Sequence, residues 1–196
     1  MVFGKARNEI QSRIEDGAYL LLNLVDEVND FFFYKISLIK EEIRTIREDN
    51  KDMDYEEIQS ILSPYQQIEE FYNNLCEEAM QMLVSKVYSY AEKHVELILV
   101  RIGYSIKKAR NEFKREHESD QGVSDIEKSF YVISKRTNIG ISEISEIWQD
   151  YEHMHEIRKN IEHHCSDKNY LIDKNCLIIN IQQIQKLLCL LETKTR

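Results

Sequence analysis

A chain of 196 residues with one proline and five glycines lacks the punctuation that turn-rich β-sandwiches and barrels depend on, which leaves helices as the default. Its 26 Lys and Arg stand against 35 Asp and Glu, a formal net charge of −9, the wrong sign for coating duplex DNA by bulk attraction. A local basic cleft remains compatible with that sum, because charge acts over a Debye length of about 8–10 Å.

The first long segment carries apolar residues from Ile10 through Ile14, Ala18, Leu21, Val25, Val28, Phe32, Ile36, Ile39 and Ile43 to Ile46. Steps of three and four put them on one helical stripe and predict a long N-terminal helix over 1–50. Gly17 interrupts it weakly, at about 1 kcal/mol relative to Ala. Phe31, Phe32, Phe33 and Tyr34 exceed what one stripe can bury, and the excess suggests a protein-contact surface. After the polar run 48–52, Asp54 and Glu57 form a capping-box pattern for a short helix through Leu62.

Ser63-Pro64-Tyr65-Gln66 then reads as a new helix start, with Ser as cap and Pro at the first helical position. A second long helix is expected over 64–115, pairing with the first as an antiparallel hairpin. His94 falls on its apolar stripe and reads as a satisfied core histidine. Residues 114–122 are the best loop candidate. Ser124 and Glu127 make a further capping box, Asn138 to Gly140 breaks that helix, and Ser142 caps the next. Helices are thus expected across 124–165, and a last one over 177–193 capped by Asn180 with Gln183. The expected fold is all-α: an antiparallel bundle of about five or six helices with two long ones at the N-terminus, forming a single domain.

No run of 18 apolar residues occurs, so no membrane span is expected. The first residues lack the apolar stretch of a secretory signal, and Cys76, Cys165, Cys176 and Cys189 include no C-x-x-C pair. Reduced thiols in a cytoplasmic protein are the simplest expectation.

One residue breaks the rule that stripes are apolar. Arg158 occupies a seam position among Tyr151, Met154, Ile161 and Cys165. A buried arginine is costly unless it is paired or its seam lines a cleft. His163 and His164 follow within six residues. An imidazole moves protons near neutral pH and a guanidinium holds phosphate charge, a combination suited to phosphodiester chemistry.

The stretch Glu156-Ile157-Arg158-Lys159-Asn160-Ile161-Glu162-His163 resembles the signature of the HEPN superfamily, an Arg followed after four to six residues by His. In the commonest form, Arg-Asn-x-Ile-x-His, the positions of Arg158, Ile161 and His163 match. Upstream, Leu83 to Glu92, with Tyr88-Ser89-x-x-Glu92, is similar to the family's second helix, so the resemblance covers about residues 65–192. It implies a metal-independent endoribonuclease without cofactor, in which the motif helices of a homodimer face each other across a composite cleft. The RNA 2′-hydroxyl attacks the adjacent phosphate, with Arg158 stabilising the phosphate and His163 in acid–base catalysis. Many such proteins act as toxins or abortive-infection effectors under an antitoxin or other regulatory partner.

The pattern departs from the family at Lys159, where Asn, Asp or His is usual, and Asn160 or His164 is then the candidate for the supporting polar role. Arg158 and His163 lie about 140° apart around an ideal helix, so a dimer or a distorted turn has to bring them together. Where nucleotidylated members carry a tyrosine, this chain has Cys165. Two bland alternatives stand beside these readings: Arg110 and His117 as a solvated helix end rather than an active pair, and a metal cluster of His153, His155, His163, His164 and Cys165, for which no His-x-x-x-His spacing exists. Trp148 and Tyr151 read as packing aromatics. In function, the alternatives are a non-catalytic HEPN-like module binding RNA, nucleotide or protein, and a helical coiled-coil interaction protein working through the stripe from Ile10 to Ile46.

Overall fold

The computed structural model describes residues 2–117, 123–137, 139, 155–159 and 172–195. Among them every regular element is helical: α1 (Val2–Asp49), α2 (Tyr55–Arg101), α3 (Ile106–Glu116), α4 (Asp125–Thr137), the helical residues 155–159 and α5 (Lys174–Lys194). The all-α expectation holds, with two long N-terminal helices. No helix among the described residues is long and apolar enough to cross a membrane.

α1 and α2 run antiparallel. Near the open end of the hairpin, the Tyr90 hydroxyl donates to the Ile14 carbonyl at 2.6 Å. Toward the connecting turn, Lys40 meets Glu69 at 3.5 Å, and Leu62, fully buried, packs with Ile39 and Ile43 as a small second core. The main core lies at the open end, where Ile14, Ala18 and Val25 meet Val84, Val87 and Ala91 of α2, Phe130 and Ile133 of α4, and Ile181 and Leu188 of α5. α5 lies along both long helices. Its first residue, Lys174, reaches Asp26 of α1 at 2.8 Å. Its last turn holds Glu192, fully buried, against Arg101 at the end of α2, 2.7 Å away.

Several boundaries differ from those expected. Asp54 does cap α2, accepting from the Glu57 amide at 3.0 Å, but the helix runs straight through Ser63 and Pro64. A proline inside a helix removes one hydrogen bond, here to the Ser60 carbonyl. Both Pro64 and Ser60 are exposed, so water satisfies that carbonyl, while burial of Leu62 holds the helix on either side of the interruption.

At its other end, α2 stops at Arg101 instead of continuing to residue 115. Gly103 takes a left-handed φ of +79°. The amides of Tyr104 and Gly103 return to the carbonyls of Leu99 and Val100 at 2.9 and 3.1 Å, the paired bonds of a Schellman ending. Ser105 then caps α3, accepting from the Lys108 amide at 3.3 Å. The capping box of α4 forms as expected: Ser124 Oγ accepts from the Glu127 amide at 3.2 Å, and the Glu127 carboxylate takes the Ser124 amide. The final helix begins at Lys174 with Asp173 as its cap. Asn180, expected as the cap, sits buried inside it.

Candidate functional site at the Arg158 segment

Of the motif, residues 156–159 are described, within the helical segment 155–159. Its middle residue, Ile157, is buried in the main core and pins the segment to the bundle. His155 and Arg158, three apart and so neighbours on a helix, flank that anchor, and both engage Tyr88 of α2. His155 Nδ1 lies 3.0 Å from the Tyr88 hydroxyl, and the two rings stack with centroids 5.5 Å apart. The Arg158 guanidinium carbon lies 4.0 Å from the Tyr88 ring centroid. One helical turn beyond Tyr88, a Glu92 carboxylate oxygen is 3.7 Å from Arg158 Nη1.

This answers the cost of an arginine on a seam. The aromatic face receives the guanidinium and the carboxylate offsets its charge, while about a quarter of the side chain (23%) stays in solvent. A cation over an aromatic ring contributes about 0.5–2 kcal/mol. The Glu92 pair is the smaller contribution, because Glu92 is 43% exposed and exposed ion pairs are worth about 0–1 kcal/mol. Of these two partners, Tyr88 therefore does more to position Arg158. Lys159 points outward and pairs with Glu156 at 3.3 Å.

Tyr88 and Glu92 belong to the α2 stretch that resembles the family's second helix, and the fold brings that stretch to Arg158. His155 is an addition that sequence reasoning considered only as a metal ligand. Asn160, His163 and His164, along with Trp148, Tyr151, His153, Met154, Ile161 and Cys165, lie outside the described residues. Among the described residues no group of three or more His, Cys, Asp or Glu side chains converges as a metal site. Cys76, Cys176 and Cys189 are half-buried thiols not joined in disulfides.

Glu92 also borders an open cleft of about 330 Å³ between α2 and α4, lined among others by Ser89, Lys93, Glu96, Asp125 and Ser129. Two of its three carboxylates already have cations beside them, Glu92 with Arg158 and Asp125 with Arg110. Through its pair with Glu92, Arg158 stands at the margin of this cleft.

The second Arg–His pair is accounted for structurally. Arg110 donates through Nε to Asp125 at 3.0 Å, joining α3 to α4. The His117 ring lies flat on Phe113 with centroids 4.0 Å apart, and its Nδ1 is 3.1 Å from the Phe113 carbonyl. His94 is buried as expected, with Nδ1 2.8 Å from the Tyr90 carbonyl. Burial pushes its pKa below the usual histidine value, and Lys93 and Arg13 add to the effect against hydrogen bonds that oppose it.

No family model matches the chain, and no curated protein or solved structure matches it either. The class that the fold defines is an all-α protein built on a long antiparallel hairpin, with an arginine-bearing segment docked on its second helix.

Proposed function

We propose that this protein is an endoribonuclease of HEPN type that cleaves RNA by attack of the 2′-hydroxyl on the adjacent phosphate. The observation that carries the reading is Arg158 held over Tyr88 and beside Glu92, a cation fixed at the protein surface by two residues of the helix that resembles the family's second one. The guanidinium has five N–H donors in a planar fork. Such a fork matches two non-bridging oxygens of a phosphate.

In the reaction, the 2′-oxygen bonds to phosphorus and the bond to the 5′-oxygen breaks. The 2′-hydroxyl gives up its proton to a base, and the departing 5′-oxygen takes one from an acid. His163 and the same residue of a second copy would fill those two roles in a composite cleft. Arg158 stabilises the charge that builds on the phosphate. A toxin or defence role in the cytoplasm, under an antitoxin or other regulator, belongs to the same reading, as does a supporting role for Asn160, Lys159 or His164.

A second reading has its own support. Glu92 already offsets the charge of Arg158, as expected of a non-catalytic module in which Arg158 is a structural latch. End-labelled single-stranded RNA incubated in EDTA separates the two. The nuclease reading expects fragments ending in 2′,3′-cyclic phosphate, lost in Arg158→Ala and in His163→Ala. The latch reading expects intact RNA and a lowered Tm in Arg158→Ala alone.

A further inference from the structure

The α1–α2 hairpin is apolar on two sides, and the core accounts for only one. On α1, Leu20, Leu24, Phe31 and Leu38 are exposed and recur at steps of four and seven, a stripe about 100° around the helix from Ile14, Val25 and Ile39. On α2, the exposed Ile68, Phe71 and Met82 lie three and eleven residues apart and share one face of that helix. Leu20 and Lys93, from the two helices, line one shallow groove together, so both stripes open on one side of the hairpin. α5 does not cover it. Its Lys174 sits at Asp26 and Asp30, about 100° around α1 from the stripe. From Leu20 to Leu38 the strip is about 27 Å long and two helices wide, roughly 500 Å², toward the top of what monomers expose.

We infer that this face binds a second copy of the chain, antiparallel, across a two-fold axis at Phe31. The register follows from the sequence of the stripe itself. Leu24 and Leu38 lie seven residues either side of Phe31, and Glu27 and Lys35 lie four either side. A two-fold axis there sets leucine on leucine and each glutamate level with the other copy's lysine. The ends agree with this register. Levels taken from the Lys40–Glu69 and Gly17–Tyr90 contacts put Lys86 and Lys93 about 9 and 16 residues from Phe31 toward the open end. Toward the turn, the exposed Glu42 and Asp49 lie 11 and 18 residues from it.

The face is therefore self-complementary in both polarity and charge, as an isologous interface requires. It is also separate from the composite cleft of the ribonuclease reading. Glu92 lies about 15 residues along the hairpin from the axis, so the two Arg158 sites would stand about 45 Å apart. The inference does not rest on RNA cleavage.

Light scattering on the full chain at micromolar concentration tests it. Association through this face is expected, with Phe31→Glu raising its Kd at least 100-fold at unchanged helical content, since Phe31 is exposed and its loss leaves the core intact. Lys35→Glu should weaken the dimer, and Glu27→Lys combined with Lys35→Glu should restore it. In a cross-linking arm, Phe31→Cys should join two copies through its own new thiol, whereas Tyr19→Cys, off the stripe, should not. A monomer at 100 µM would overturn the inference. So would a dimer that keeps its Kd in Phe31→Glu, or one that the double charge exchange fails to restore.

Discussion

Replacing Gly17 with alanine sets two effects of known size against each other. Helix propensity alone favours the substitution by about 1 kcal/mol. The packing opposes it, because a β-carbon on Gly17 would stand 2.6 Å from Cε2 and 3.1 Å from Cδ2 of Tyr90. Carbon atoms settle at about 3.5–4.0 Å, so the ring would have to retreat by about 1 Å. It has little room to do so, since its hydroxyl is anchored to the Ile14 carbonyl at 2.6 Å and its face packs on His94 with centroids 4.5 Å apart. Overpacking strain of about 1–3 kcal/mol and the weakening of a hydrogen bond worth about 1 kcal/mol together exceed the propensity gain. Gly17→Ala should therefore cost about 1–3 kcal/mol, a fall in Tm of roughly 5 °C for a chain of this size. Circular dichroism at 222 nm during heating and in urea reads both. In a Tyr90→Leu background the ring edge is gone, and the same substitution should become neutral or stabilising, a coupling of about 2 kcal/mol. A Gly17→Ala protein more stable than wild type, with Tyr90 in place, would refute this account of the hairpin.

Other expectations follow from buried polar groups and from the ending of α2. Arg101→Met removes the cation 2.7 Å from the fully buried Glu192 carboxylate and should cost about 3–5 kcal/mol in urea unfolding, whereas Arg101→Met with Glu192→Leu should recover most of it. His94 has a folded pKa below its unfolded one, so the unfolded chain binds the extra proton first as pH falls. Stability should decline below about pH 6.5 toward the folded pKa, and the slope of unfolding free energy against pH in that window should shrink in His94→Asn. Gly103→Ala meets no neighbour within 4 Å, yet its φ of +79° should still cost about 1–2 kcal/mol in the same unfolding measurement.

Much of the architecture was legible locally. The stripe from Ile10 to Ile46 and the caps at Asp54 and Ser124 depend on neighbours within four residues, and they became helices as read. The errors came from weighing local signals against tertiary ones. Ser63-Pro64 carries every local mark of a helix start, but burial of Leu62 on one side and an exposed Ser60 carbonyl on the other let the helix pass through. Gly103 and Ser105 were readable as a left-handed ending followed by a new cap, and the apolar stripe that continues past them obscured both. Gly17 looked like a flaw in α1 because nothing nearby in sequence shows that Tyr90 needs its space.

The candidate site divides in the same way. An arginine on a seam announces that it needs partners, but not where they are. Tyr88 and Glu92 were in view only through their resemblance to a family's second helix. Their meeting with Arg158, across nearly 70 positions of chain, is a product of packing, with Ile157 as the anchor. The role of His155 had no local signal, since its partner is the Tyr88 hydroxyl 67 positions away.

The −9 net charge also takes on a narrower meaning. It argues against broad phosphate binding, and it leaves any phosphate contact to local cations such as Arg158. RNA association on this account is weak and falls steeply with salt.

The most direct test of the central proposal is cleavage of single-stranded RNA in EDTA by wild type, Arg158→Ala and His163→Ala side by side, with folding checked by circular dichroism. The account predicts 2′,3′-cyclic phosphate ends from the wild type and none from either folded variant. Intact RNA at high enzyme concentration, or equal cleavage by all three proteins, would contradict it.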